Sequence, residues 1–451
     1  MNDTIVAIAT PNSESALAVI RISGDLSLDL CKQACNVPYP TPRHAYLAKY
    51  TSLEEEILDQ IILIYYENGK SFTSEHTIEL SCHGNPFLIK EIINDLIARG
   101  CRIANPGEFS YRAYKNNKID LTKAEAIAQL ISAKNKQALS LANKNLDGNL
   151  SEKINLLQNK LLEQQSIIEA FIDFPEDDLG DDQILQVIKS LKGLNAEIKV
   201  LLEHAKKTDV FNRRLNVAII GPPNAGKSSI FNKIIGSERS IVDETAGTTR
   251  DFIEKKVQIG SVDVNLIDTA GIRDTDKNVE NIGISKTMEL QKEADLVLLV
   301  FDCSLPFPEY INSNLERLIN NKNLIIALNK IDLGKKISIP ELKLENAIEI
   351  ETSIKDIDSI ARLQSAIEEN LLGPSKTYNE FNLSVNLRQS QALQNSSNSL
   401  EQCISNLSTE DSIELSIPEL KDSIQHLGEI VGQTDNEDML DILFSNFCIG
   451  K

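Results

Sequence analysis

The sequence predicts a multidomain α/β plus α chain: an N-terminal α+β domain, a helical domain, and an α/β domain inserted into the helical one. Three observations carry this. Residues 1–119 mix β-branched runs with short helical patterns. Residues 120–213 and 374–451 share a helical apolar period, few aromatics and many Leu, Ile, Asn and Ser. Residues 214–373 alternate apolar strand-like runs with helical stretches, as a mostly parallel sheet requires.

In the first stretch, 4–9, 17–22, 60–66 and 77–81 read as strands. Phe87 to Arg99 reads as a helix closed by Gly100. From Leu121 the positions Leu121, Ala124, Ile127, Ala128 and Ile131 keep helical spacing, as do Leu156, Leu157, Leu161, Ile168, Phe171 and Ile172. The acidic segment 173–182, with its Pro and Gly, ends that helix and reads as a solvated turn rather than a metal site. A second helix follows over 183–205. Beyond Gly373-Pro374 the chain turns helical again to Phe447, and the two helical stretches are expected to form one domain. An insertion of this kind needs the inserted segment's ends to lie close together.

The 451 residues allow about two to four domains, and 41% of them are hydrophobic, enough for a core in each. Against 46 Lys+Arg stand 66 Asp+Glu, a formal net charge of −20. That balance argues against a general nucleic-acid binder, so any RNA contact needs a local basic patch or a partner protein. The 7 cysteines are scattered and odd in number, which reads as reduced thiols in a cytoplasmic protein. Cys31 and Cys35 are spaced for one face of a helix and lack a second pair to make a metal site. No basic leader opens the chain, and no apolar run reaches the roughly 18 residues of a membrane span.

The chemistry concentrates in residues 214–373. Gly221-Pro-Pro-Asn-Ala-Gly-Lys-Ser228 fits G-x-x-x-x-G-K-[ST] and lies between a strand run (215–220) and a helix run (229–235). Such a loop wraps backbone N–H groups around phosphates, with Asn224, Ala225, Gly226, Lys227, Ser228 and Ser229 at the ligand. Lys227 supplies a point charge to the β- and γ-phosphates, and Ser228 a hydroxyl to Mg²⁺. Asp268-Thr269-Ala270-Gly271 follows a buried strand, with Asp268 aimed at the Mg²⁺ and the Gly271 N–H at the γ-phosphate.

Asn329-Lys330-Ile-Asp332 follows the strand 324–328 and fits N-K-x-D. Guanine offers two neighbouring N–H donors that one carboxylate accepts, whereas adenine has an acceptor at N1. Asp332 therefore selects GTP over ATP. Gly247-Thr-Thr-Arg-Asp251 lies between these motifs, with Thr249 as second hydroxyl ligand of Mg²⁺. Arg250 reads equally as an arginine finger in cis or as a solvated surface residue. Together the motifs describe a Ras-like P-loop GTPase domain.

Two features set it apart from Ras-like enzymes. Ile272 stands where they carry a water-orienting glutamine, so another group must hold the water. Glu280, on the polar segment that follows, is one candidate, although pattern alone reads it as a solvated helix residue. Asn224 faces the α/β-phosphates, where an amide oxygen can help hold a monovalent cation that supplies the charge of an arginine finger.

At this point the chain resembles, over its whole length, the tRNA-modification GTPase MnmE (TrmE) family. The resemblance rests on the C-terminal Phe447-Cys-Ile-Gly-Lys451, on Pro106-Gly-Glu-Phe109, Arg112-Ala113, Asn117-Lys-Ile-Asp-Leu121 and Ala124-Glu-Ala126, on Asp173-Phe-Pro-Glu-Asp177, and on the nucleotide loops. It implies three domains: a tetrahydrofolate-binding and dimerisation domain over 1–119, a discontinuous helical domain over 120–213 and 374–451, and a G domain over 214–373. It implies a homodimer working with the FAD-dependent MnmG (GidA) protein, in a heterotetramer or larger complex, with tRNA engaged mainly through the complex and no membrane. The activity implied is K⁺-activated GTP hydrolysis coupled to placing carboxymethylaminomethyl or aminomethyl groups on C5 of the wobble uridine.

By position, Arg21, Glu79, Lys118 and Lys451 match the family's contacts to 5-formyl- or methylene-tetrahydrofolate. Asn224, Asp243, Thr245 and Thr248 match its K⁺ ligands, and Glu280 matches its water-activating glutamate. Cys448 matches a C-terminal cysteine near the folate site, where a reactive thiolate beside a lysine and a small buried hydrophobe are equal readings. The chain departs from the family at Pro11-Asn-Ser-Glu14, at Thr73-Ser-Glu-His76 and at Ser353-Ile354-Lys355, which matches the family's guanine-capping S-A-[KR] by position. Two rivals to the enzyme reading stand: a GTP-dependent switch in ribosome assembly, and a self-sufficient folate-dependent one-carbon transferase regulated by GTP. The C-terminal signature disfavours the first, and the absence of an acid–base cluster in 1–119 disfavours the second.

Overall fold

The computed structural model describes residues 3–133, 135–173, 181–212, 214–236, 253–268, 294–307, 323–338, 347–372, 383–408, 410–433, 437–445, 447 and 450. The chain separates into two compact units, 1–131 with 143–198 and 391–451, and 132–142 with 199–390.

The first unit contains a six-stranded sheet of β1 (Ile5–Ile8), β2 (Ser15–Ser23), β3 (Ala45–Thr51), β4 (Ile57–Tyr66), β5 (Thr77–Gly84) and β6 (Arg102–Ile103), in the order β3-β4-β5-β2-β1-β6. All neighbours are antiparallel except β1 and β6. The pleat sends alternate side chains to opposite faces. Ile20, Ile22, Leu63 and Leu80 face a core closed by helices Ser27–Cys35 and Pro86–Ala98. Arg21 and Ser23 therefore point to the other face.

Helix Pro86–Ala98 starts where its chemistry dictates: the Asn85 side chain accepts from the N–H groups of Phe87 and Leu88, and Pro86 occupies the first turn. The four expected strands are present. β3 and β6 escaped the sequence reading because β3 exposes Ala45, Leu47 and Lys49, which breaks the apolar-in, polar-out alternation, and β6 is only 2 residues long. Cys31 and Cys35 sit buried on one helix face, as their spacing predicts, and burial pushes both thiols up to about 12. No metal-ligating cluster of His, Cys, Asp or Glu occurs among the described residues.

The two helical stretches of the sequence meet inside this unit. Helix Asn149–Asp173 packs along helix Ser416–Val431, and the Gln158 side chain donates to the Ile424 carbonyl at 3.1 Å. Ser397 on helix Leu387–Leu407 donates to the Asn195 side chain at 2.7 Å. Helix Asp181–Asn212 is longer than the expected 183–205. Of the acidic segment 173–182, residues 174–180 lie outside the described residues. No helix among the described residues is long and apolar enough to cross a membrane.

The second unit carries the other sheet: β7 (Leu215–Ile220), β8 (Ile253–Ile259), β9 (Val262–Asp268), β10 (Leu296–Asp302), β11 (Asn323–Asn329) and β12 (Ile348–Glu351), in the order β12-β11-β10-β7-β9-β8. Every pairing is parallel except the β8–β9 hairpin. β7, β10 and β11 are buried on both faces, which explains their unbroken apolar runs. Helices Lys227–Ile235 and Ile357–Leu372 cover one face. The C-terminal ends of β7, β9, β10 and β11 line up along one edge, the place where open α/β sheets bind ligands.

Candidate nucleotide site

Four strand ends deliver the site. β7 runs into the loop 221–226 and the helix Lys227–Ile235, β9 ends on Asp268, β10 ends on Asp302, and β11 ends on Asn329. The loop's glycines answer two constraints of space and backbone. Gly221 has φ 152°, and a Cβ there would lie 2.2 Å from the Val300 carbonyl oxygen. Gly226 has φ 96°, and its Cβ would lie 2.2 Å from Asn329 Nδ2. Only glycine lets the loop lie this close to β10 and β11.

Lys227 lies over the loop and donates to the Gly221 and Pro222 carbonyls, both at 2.8 Å. Burial pushes the Lys227 amine down, against the pull of Asp268. Ser228 donates its hydroxyl to Asp268 Oδ2 at 2.8 Å. A hydroxyl and a carboxylate in contact, below a lysine at a helix N-terminus, are the donor set that suits Mg²⁺ with a phosphate. Asn224 is exposed and holds φ 62°, a left-handed conformation that asparagine tolerates better than most residues. Ala225 is buried and Ser229 exposed.

The end of β11 is equally ordered. Buried Asn329 donates its amide to the Ala225 carbonyl at 2.9 Å, joining β11 to the loop. Lys330 Nζ donates to the Asn224 carbonyl at 2.8 Å and to Asp302 Oδ2 at 2.7 Å. Asp332 receives the Ser353 hydroxyl on Oδ1 and Lys355 Nζ on Oδ2, each at 2.8 Å. These two partners, Lys355 first, hold the Asp332 carboxyl below the usual range. Ile354 is exposed between them. The Asp332 carboxylate is thus fixed in direction by two donors.

The N-terminal sheet brings together part of the second predicted group. Arg21 on β2 and Glu79 on β5 are direct cross-strand partners, with Arg21 Nε and Nη2 donating to Glu79 Oε1 at 2.9 and 2.7 Å. Arg21 also donates to the Gly450 carbonyl at 3.1 Å and lies over the Phe109 ring. Lys118 Nζ instead donates to the Gly69 carbonyl at 3.0 Å. Beside Arg21–Glu79 lies a polar cluster that the sequence reading missed: Arg112, 1% exposed, reaches Asp3, Glu75 and Glu108, and Glu75 also takes the Ser23 hydroxyl. Arg112 and Glu75 are 37 residues apart, so no local pattern links them.

Family models for the GTP-binding protein TrmE N-terminus and for the MnmE helical domain match residues 4–118 and 121–448. The tRNA modification GTPase MnmE of Aquifex aeolicus is 38% identical over 463 aligned residues, covering 100% of both chains. The chain belongs to the MnmE family of tRNA modification GTPases. The Sulfurimonas denitrificans MnmE is 36% identical over 100% of this chain and 99% of its own. Among solved structures, the G domain of the T. maritima FeoB iron transporter is 26% identical over 35% of this chain and 99% of its own, but its TM-score of 0.27 carries no structural argument.

Within this MnmE-family chain, the described residues gather Asn224, Lys227, Ser228, Asp268, Asn329, Lys330 and Asp332 around one sheet edge. Asp243, Thr245, Thr248, Thr249, Arg250, Thr269, Ala270, Gly271, Glu280, Cys448 and Lys451 lie outside the described residues. Asp302 went unremarked in the sequence, although a carboxylate at the end of the apolar run 296–301, the strand run preceding that of N-K-x-D, was a usable signal.

Proposed function

We propose that this chain is a K⁺-activated GTP hydrolase that works with an FAD-dependent MnmG-type partner to modify C5 of the wobble uridine of certain tRNAs. The observation that carries the reading is the joint fixation of Asp332 by Ser353 and Lys355 and of Asn329 by Ala225, which makes a guanine reader continuous with a phosphate loop. Family membership supports the tRNA part. We read residues 1–119, 120–213 with 374–451, and 214–373 as the folate-binding, helical and G domains.

The residues divide the work as follows. The backbone of 224–229 and Lys227 bind the phosphates, Ser228 and Thr249 orient Mg²⁺ with Asp268 behind them, and Thr269 to Gly271 meet the γ-phosphate. Asn224, Asp243, Thr245 and Thr248 hold K⁺, and Glu280 positions the attacking water, with Arg250 a further candidate at the phosphates. Bound Mg²⁺ and K⁺ supply positive charge to the phosphate oxygens. Arg21, Glu79, Lys118 and Lys451 hold the tetrahydrofolate derivative, with Cys448 nearby. The Arg21–Glu79 pair and the Gly450 carbonyl offer the donors and acceptors that a pterin ring needs.

The deciding experiment is mass spectrometry of wobble nucleosides from cells lacking this gene, alongside GTP turnover of the purified chain. Loss of the C5 modification is expected. Unchanged wobble uridines with GTP turnover intact would favour the ribosome-assembly switch instead.

A further inference from the structure

We infer that Asp302 is a positioning residue of the nucleotide site, acting through Lys330 on the phosphate loop. The inference rests on the reading of that site as a guanine-nucleotide site. Asp302 ends β10, where its Cα pairs with Asn329 of β11, so its side chain emerges beside the base-reading motif. Its two oxygens have separate duties. Oδ1 accepts from the Ser304 N–H at 3.0 Å and the Ser304 hydroxyl at 2.6 Å, which fixes the carboxylate's direction. Oδ2 receives Lys330 Nζ at 2.7 Å. Burial pushes this carboxyl up, yet Lys330 and Ser304 together hold it below the usual range.

Lys330 needs this anchor. Its backbone sits at φ 64°, an uncommon conformation for a lysine, and its ammonium also reaches the Asn224 carbonyl at 2.8 Å. A single ammonium thus spans the base-reading motif and the loop peptide whose side chain is Asn224. A carbonyl alone is a weak partner for a partly desolvated cation, and the carboxylate makes the contact directional. With Asp302 in place, Lys330 holds the Asn224 peptide where it is. Without it, the ammonium is free to leave for solvent and the loop loses that restraint.

The test is a double-mutant cycle on the full chain, read by titration of a fluorescent GDP analogue and by melting without nucleotide. Asp302→Asn keeps the amide oxygen for Ser304 and removes the charge facing Lys330. It is expected to raise the Kd for GDP about tenfold, the size of one lost charged hydrogen bond, with little change in Tm. In a Lys330→Met background the same substitution is expected to cost nothing further. Ser304→Ala, which removes the hydroxyl but keeps the Ser304 N–H bond that orients Oδ1, is expected to bind GDP nearly as the wild type does. An unchanged Kd in Asp302→Asn, an equal loss in the Lys330→Met background, or a loss in Ser304→Ala as large as that in Asp302→Asn each overturns the inference. A wild-type chain that binds no guanine nucleotide overturns instead the proposed function on which it rests.

Discussion

Asn329 and Ala225, 104 residues apart, are joined by a buried hydrogen bond of 2.9 Å from the asparagine amide to the alanine carbonyl. The bond ties the phosphate loop to the end of β11. It also explains the glycine at 226, where any Cβ would strike the donating nitrogen.

Gly226→Ala is therefore expected to damage nucleotide binding more than its size suggests. A non-glycine residue at that φ costs about 1–2 kcal/mol, and the Cβ displaces Asn329 from Ala225. GDP affinity should fall at least about tenfold by fluorescence titration. An affinity equal to wild type would mean that Asn329 yields without consequence.

Asp332→Asn should exchange GTP for xanthosine triphosphate, because the amide offers a donor where guanine also offers one. Competition binding of the two nucleotides measures this directly. Undiminished preference for GTP would remove Asp332 as the base reader.

Asn224→Ala should leave GTP binding largely intact while flattening the difference in GTPase rate between KCl and NaCl. The wild type should be several-fold faster in KCl, since the amide is proposed to help hold the cation. Equal wild-type rates in both salts would end the potassium proposal.

Arg21→Ala should weaken binding of a tetrahydrofolate derivative without altering GDP affinity, because the pair with Glu79 belongs to the first unit and the nucleotide site to the second. Calorimetry with each ligand separates the two effects. Loss of both together would indicate that Arg21 acts on folding.

Acid should destabilise the first unit through Glu108. Burial pushes its carboxyl up, but Arg102, the Asn105 N–H and Arg112 outweigh this and hold it below its ordinary value. The folded state thus binds fewer protons than the unfolded chain between that lowered value and about 4.5. The stabilisation is complete above this window and is lost as pH falls through it. Glu108→Gln should lower Tm at neutral pH and reduce the slope of Tm against pH below about 4.5. A parallel pair of curves would assign the acid response to other carboxylates.

Much of the nucleotide site was legible because it is written in short consecutive motifs. A loop such as Gly221–Ser228 or Asn329–Asp332 is specified by neighbours in sequence, and strand–loop–helix order supplies the context. The apolar runs of β7, β10 and β11 were equally plain, being buried on both faces. Edge strand β3 was not, since half-exposed positions tolerate any residue.

The sequence by itself determined the order of the motif-bearing strands β7, β9, β10 and β11 and the glycine positions of the phosphate loop. Only the tertiary structure decided which distant groups share a charge. Arg21 with Glu79, Arg112 with Glu75, and Asp302 with Lys330 are paired by strand register and by helices crossing a sheet face. The physical reason is that a salt bridge needs a few ångströms and a direction, and neither is encoded locally. Both appear only when hydrophobic burial has fixed the backbones that carry the two partners.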